Sequence, residues 1–286
     1  MSRILLQTTI MGVPDDWNIG RFSLLAGELS AAGHDVTARD RDDTSGDDSV
    51  LRGLDRVDYD ELWLLAVDPG DGLAPGDSRG ITRFRENGGG VLTARDHEDL
   101  GACLVCLGSL GRVNHFHDRN PEPDAARDDQ DNPSISWPNY HSGANGDYQP
   151  VLPVEPAHEL LLTDRNSSGR IEWFPAHPHE GAVSAPPEYT FARSIAQGRS
   201  TVTGRNFNLG VALDGEETPD GKPMGRALAA STFHHFADYN WDVECGAPSF
   251  VTEPPGTEIA RDPQRLETFK DYVRNLSRWL HPRSTP

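Results

Sequence analysis

Apolar residues fall along this chain in short runs separated by amphipathic stretches, and the two patterns alternate over the first hundred residues. Arg3 to Thr8 is a run suited to a buried strand. After a Gly/Pro/Asp loop, Ile19, Phe22, Leu25, Ala26 and Leu29 recur at helical spacing. Gly33 then stops the helix, and residues 34–38 read as a second strand. Residues 59–67 predict a third strand with Glu61-Leu62-Trp63-Leu64-Leu65-Ala66-Val67 as its apolar centre. Pro75 opens a helix with Ile81 and Phe84 inward, and Gly90 to Ala94 is a fourth strand. Strands alternating with helices predict an α/β fold of three layers, flavodoxin-like, with a mostly parallel sheet between helices.

The regularity fails over about residues 108–156, which are rich in Asp, Asn and Pro and read as a long irregular insertion. Beyond it come short strand candidates at 171–174, 200–203 and 211–213, then a clear strand at 226–232. Asp262-Pro263 supplies an N-cap and a proline at the first helical position. Leu266, Phe269, Tyr272, Val273, Leu276 and Leu280 then form the inward stripe of a C-terminal helix. No linker-like stretch divides the chain, so residues 1–286 are expected to form one domain.

Charge narrows the set of partners. The 286 residues carry a formal net charge of −19, and Lys222 and Lys270 are the only lysines. So acidic a surface repels phosphate backbones and anionic lipid, which argues against nucleic acid or membrane surfaces and for a small-molecule substrate. The opening apolar run is too short for a signal peptide, no stretch approaches a membrane span, and Cys103, Cys106 and Cys245 form no disulfide framework. A cytoplasmic setting is the expectation. Cys103 and Cys106 lie past the first turn of an apolar stretch and read as two small buried hydrophobes rather than a redox pair.

Candidate chemistry is concentrated where apolar runs end. Asp96-His97-Glu98-Asp99 follows the fourth strand, His177-Pro178-His179-Glu180 follows the run ending at Pro175, and His234-His235 follows the late strand. In open α/β sheets ligands bind outside the carboxyl ends of the strands, so these distant motifs are expected to share one crevice. Asp96 is placed to cap a helix with Asp99 as its reciprocal partner, and a helix start beneath His97 would hold that imidazole neutral. In an extended segment His177 and His179 point the same way, and Pro175 and Pro178 stiffen the segment. His234 and His235 point to opposite sides, so at most one faces the crevice. His115 and His117 lie in the insertion and read as an exposed pair. The end of the insertion mixes Tyr140, His141, Asn145, Asp147 and Tyr148 with turn glycines, and is expected to bring these groups to a polar ligand.

The order of strands and helices, the Gly-Gly-Gly-Val-Leu-Thr-Ala-Arg-Asp-His corner at 88–97 and the Ser231-Thr232-Phe233-His234-His235 strand end resemble the class I glutamine amidotransferase-like fold, most of all its ThuA-like branch. The resemblance covers residues 3–107 and 226–281. It implies a catalytic histidine after the late strand, which His234 or His235 matches, and a connection with sugar metabolism. Amidotransferases place a nucleophilic cysteine at the corner, and here Asp96-His97 stands there, which disfavours glutamine hydrolysis.

These readings combine into an enzyme that acts on a small polar, sugar-like molecule by metal-assisted hydrolysis, elimination or isomerisation. His97, His177 and His179 would bind a divalent ion, zinc before iron or manganese. Glu180 would be the general base, Asp96 would orient an imidazole, and His234 or His235 would be a further ligand or proton carrier. His141, Tyr140, Asn145 and Asp147 would contact substrate. The alternatives are a metal-free acid–base enzyme on the same residues and a non-enzymatic carbohydrate-binding protein.

Overall fold

A computed structural model describes residues 1–42, 45–121, 128–129 and 134–283. Its strands are β1 (Arg3–Thr8), β2 (Asp35–Arg39), β3 (Glu61–Leu65), β4 (Gly90–Ala94), β5 (Asn114–His115), β6 (Tyr148–Pro150), β7 (Leu152–Pro153), β8 (Trp173–Pro175), β9 (Ala182–Val183), β10 (Ala192–Arg199), β11 (Asn206–Leu213) and β12 (Ala227–Ala230). The α-helices are α1 (Ser23–Ala31), α2 (Pro75–Glu86), α3 (Gly108–Arg112), α4 (Asp238–Trp241), α5 (Glu258–Arg261) and α6 (Pro263–Leu280).

Eight strands form one sheet in the order β2-β1-β3-β4-β12-β11-β10-β7. The first five run parallel, and the last three are added antiparallel. Period-two alternation divides the central strands between two cores. Ile4, Leu6, Trp63, Leu65 and Leu92 pack towards α1 and α6, while Leu5, Leu62, Leu64 and Val91 pack towards α2. The expected three-layer, mostly parallel α/β architecture is therefore present, and all six residues of the C-terminal stripe are buried.

Differences from expectation lie in the second half. Residues 200–203 are not a strand but the turn joining β10 to β11, a hairpin of two long strands. The stretch 108–156 is not irregular throughout: α3 and β5 lie at its start, β6 and β7 near its end. Part of it, residues 122–127 and 130–133, lies outside the described residues. His115 is buried, bonded to Asn120 O and Ser184 Oγ, and only His117 is exposed. Cys103 is buried and donates to Asp68, whereas Cys106 is exposed. Among the described residues no helix is long and apolar enough to cross a membrane.

Candidate active site at the strand ends

Parallel strands all present the same end, so the loops after β1, β3, β4 and β12 open on one face. A cleft of about 480 Å³ lies there. Asp16 and Trp17 reach it after β1, Val67 and Pro69 after β3, Asp96 and His97 after β4, and His234 after β12. Asn145, His177, Pro178 and His179 enter from the second half, and Phe250, Val251 and Glu253 come from the segment before α5. The convergence of the three histidine motifs on one crevice thus appears in the fold.

The β4 corner does not start an α-helix. Glu98 takes φ +47° and Gly101 φ +80°, and the chain turns into a short 3-10 helix, Ala102–Cys106. Asp96 therefore caps nothing, and Asp99 instead accepts from the His117 backbone. The Arg95 guanidinium, wholly buried over the Phe116 ring, holds the corner by bonding the carbonyls of Asp96, Glu98 and His115. Gly181 makes the corner's approach to the 177–180 segment possible, since a Cβ there would run into the Asp96 carbonyl and Arg95.

With no helix to cap, the Asp96 carboxylate turns into the cleft floor. Its Oδ1 accepts from Thr232 Oγ1 at 2.8 Å and lies 3.4 Å from His177 Nε2. Its Oδ2 lies 3.0 Å from His97 Nδ1 and 3.5 Å from His234 Nε2. The same Thr232 hydroxyl accepts from His234 N at 3.1 Å and so caps the 3-10 turn Phe233–Phe236 that presents this imidazole. The rings of His177 and His234 stack, centroids 3.6 Å apart and 10° from parallel. His179 meets His97 edge-on at 5.3 Å and His177 at 5.8 Å.

Three asparagines set the tautomers of these rings. The Asn240 amide nitrogen donates to Ala176 O and Asn145 Oδ1, both at 2.9 Å, which turns its own oxygen to His234 Nδ1 at 3.2 Å. Asn145 Oδ1, already an acceptor, also faces His177 Nδ1 at 2.8 Å. Asn139 donates its amide to Asp129 O and offers Oδ1 to His179 Nδ1 at 3.0 Å. His97 directs Nδ1 at a carboxylate. Each of the four rings therefore carries its proton on Nδ1, and a neutral ring has only a lone pair at Nε2. His177 Nε2 is buried and has no hydrogen-bond partner among the described residues.

The electrostatics follow from this packing. Burial works against a charged Asp96, yet His177, His97 and His234 outweigh it and hold the carboxyl well below the ordinary range. Burial, then the neighbouring His234, push His177 well below the usual imidazole value, against the pull of Asp96. Burial and His97 lower His179 as well. His97 moves the other way: burial opposes its charge, but Asp96 prevails and raises it. The lowering expected from a helix start under His97 is thus corrected: that helix does not form, and Asp96 lies beside the ring instead.

Several residues expected at the site stand elsewhere. Glu180 is fully buried behind the floor and does not line the cleft. It accepts from Ser142 Oγ and Ser231 Oγ at 2.7 Å and from Gln149 Nε2 at 2.5 Å, and lies 3.3 Å from His235 Nε2. A carboxylate so enclosed cannot reach a ligand, so the expectation of Glu180 as general base is corrected. His235 goes with it: its ring turns into the core against Phe174, and His234 alone of the pair faces the cleft. Tyr140 is buried and stacks on Phe207 at 4.9 Å. His141 turns its ring to Thr201 Oγ1 at 3.0 Å, outside the cleft lining. Asp147 accepts from the backbone of Thr257 and Glu258 and so ties down the start of α5. Of the four substrate-facing candidates, Asn145 alone reaches the cleft.

Sequence reasoning missed Asn139 and Asn240, which carry no local signal. It also missed Asp16, Trp17, Phe250 and Glu253, which lie far from any histidine in the sequence. Glu253 Oε1 stands 3.4 Å from His179 Nε2, with its side chain 42% exposed at the cleft mouth. Among the described residues, Asp96, His97 and His177 form the group whose ligand atoms all lie within 4.8 Å of one another. A second such group, Asp99, His117 and Asp118, is at the surface.

No family model and no curated protein matches the chain. Solved structures do. A ThuA-like protein from Parabacteroides merdae superposes with a TM-score of 0.51 at 13% identity, covering 100% of this chain and 93% of that one. A ThuA-like protein from Bacteroides uniformis gives 0.41 at 11% identity, over 97% and 90% of the two chains. The glutaminase domain of Trypanosoma brucei CTPS, with acivicin bound, gives 0.41 at 13% identity, over 99% and 98%. At these identities the likeness speaks for architecture alone: the chain shares the fold of the Parabacteroides merdae ThuA-like protein.

Proposed function

We propose that this protein is a metal-dependent enzyme acting on a small polar, sugar-like substrate by hydrolysis, elimination or isomerisation. Asp96, His97 and His177 would hold a divalent ion, zinc before iron or manganese, with His234 as a further ligand and His179 beside it. Asp96 thus takes the place among the ligands that the sequence suggested for His179, since its oxygens and not the His179 nitrogens lie within reach of the other two.

One observation carries this reading. His177 and His234 spend their Nδ1 protons on asparagine oxygens, yet aim Nε2 at the two oxygens of one buried carboxylate, 3.4 and 3.5 Å away. Lone pair against lone pair at that range is unfavourable unless a cation lies between them. Protonating both rings would stack two cations 3.6 Å apart away from water. A divalent ion satisfies all of these acceptors at once, and each Nδ1–H···O bond is the outer support that metal-bound imidazoles ordinarily have.

When bound, such an ion would polarise a substrate oxygen or lower the pKa of a water. The chain's own groups would supply the rest. Glu253, at the mouth and beside His179, would carry protons between substrate and solvent in the role the sequence suggested for Glu180. Metal analysis of protein purified without an affinity tag tests the reading. We expect roughly one zinc, iron or manganese ion per chain, as one mononuclear site requires. The His177→Ala variant should lose it while remaining folded by circular dichroism. Protein that takes up no ion when offered each of these metals would overturn the proposal. A metal-free acid–base enzyme would then stand, because the same Asp96 contacts could share protons.

A further inference from the structure

We infer that the substrate of this cleft is an amphiphile, a polar head joined to an uncharged aryl or alkyl group that lies along Trp17, Phe250 and Val251. The polar head rests on the reading just given; the apolar group does not. The lining changes character from floor to mouth. At the floor, His177 and His234 are 4% and 3% exposed, and Trp17, 6% exposed, meets the His234 ring edge-on at 4.6 Å. At the mouth, Phe250 is 57% exposed, although it borders a cavity. Val67, Pro69, Leu100 and Val251 continue this apolar lining.

The apolar wall is held in place rather than left loose. Ser249 donates its backbone N–H to Asp15 Oδ1 at 2.8 Å and its hydroxyl to Asp15 Oδ2 at 2.5 Å. This joins the segment carrying Phe250 to the loop carrying Asp16 and Trp17. The same loop exposes Met11 and Val13. Large apolar side chains fixed around a cavity and facing water gain by covering a ligand's apolar surface. Charge excludes an anionic tail. Among the described lining residues there is no Arg or Lys, while Asp16, Asp96 and Glu253 are present. A phosphate or carboxylate on the tail would meet Asp16 and Glu253 with no Arg or Lys to offset them.

Two neutral hydroxamates that differ only in their tails, acetohydroxamate and benzohydroxamate, test the inference on the purified protein. A third probe, benzyl alcohol, has no metal-binding group. Binding is read by calorimetry and by fluorine resonances of protein labelled with 5-fluorotryptophan, the Trp17 signal being assigned through Trp17→Phe. Benzohydroxamate should bind about ten- to hundredfold more tightly, the gain from covering one ring. Phe250→Ser and Val251→Ser together should remove most of that gain and leave acetohydroxamate unchanged. A carboxylate on the benzohydroxamate ring should weaken binding. Equal affinity of the two hydroxamates would overturn the amphiphile inference and leave the metal reading intact. If neither hydroxamate binds but benzyl alcohol still shifts the Trp17 resonance, the metal reading fails and the apolar subsite stands. Silence from all three probes would overturn both.

Discussion

Two buried carboxylates, Asp96 and Glu180, each lie beside imidazoles, and their surroundings could hardly differ more. Glu180 receives two hydroxyls and one amide N–H besides lying against His235, and it is sealed from the cleft. Asp96 receives one hydroxyl, from Thr232, and the Nδ1–H of His97, while two further imidazoles turn Nε2 lone pairs towards it at the floor of a cavity. Residue type and burial are nearly the same. What separates them is whether protein donors saturate the acceptor. A saturated carboxylate ties segments together, and an under-supplied one facing lone pairs marks a place where a ligand completes the arrangement.

The comparison breaks most directly at Glu180. Glu180→Ala strands the donors of Ser142, Ser231 and Gln149, and should cost about 3–5 kcal/mol in denaturant unfolding, as loss of one partner in a buried ionic network does. Asp96→Ala, measured on metal-free protein, should cost less, because it strands only the Thr232 hydroxyl and the His97 Nδ1–H. Equal losses at both sites would erase the distinction.

A third buried carboxylate sharpens the comparison from the opposite end of the sheet. Glu61 accepts from Trp63 Nε1 and Ser277 Oγ, but burial outweighs these bonds and pushes its carboxyl up to about 7. The folded protein therefore keeps a proton that the unfolded chain, with a value near 4.5, releases. Stability should fall by about 3 kcal/mol as pH rises from 4.5 to about 7 and then level off. Glu61→Gln should flatten this slope and be the more stable protein at pH 8. An unchanged slope in pH-dependent urea unfolding would mean that Glu61 is not its source.

The asparagine supports should give a smaller effect, read as metal affinity. Asn145→Leu frees the Nδ1 of His177 and removes an acceptor from Asn240. It should weaken binding of the metal by about ten- to hundredfold, the usual loss on removing an outer support. The smallest effect belongs to His141. Its ring faces Thr201, so His141→Ala should leave metal content and hydroxamate affinity unchanged and shift stability by no more than about 0.5 kcal/mol. A large loss of ligand binding there would restore it to the site.

Much of this was legible along the chain, for a physical reason. Period-two runs and the helical stripe of 266–280 report which faces are buried, and burial of regular elements is written in local order. Parallel strands then force the loops after β4 and β12 to one face, so His97 and His234 could be brought together before any coordinate was known. Local order does not contain side-chain partners. Asp96 meets Thr232 across 136 positions and Asn145 meets Asn240 across 95, and no spacing rule reaches so far. The capping reading failed at Asp96 because the corner turns through Glu98 and Gly101 into a 3-10 helix, and Glu180 failed as a base because two serines and a glutamine from distant segments close over it. By itself the sequence determined the layers, the strand ends and the residue types available there, since these depend on periodicity and chain direction. Tertiary structure alone decided which carboxylate is satisfied, which histidine of a pair faces the cleft and which nitrogen holds the proton, since those depend on donors and acceptors that only packing brings within 3 Å.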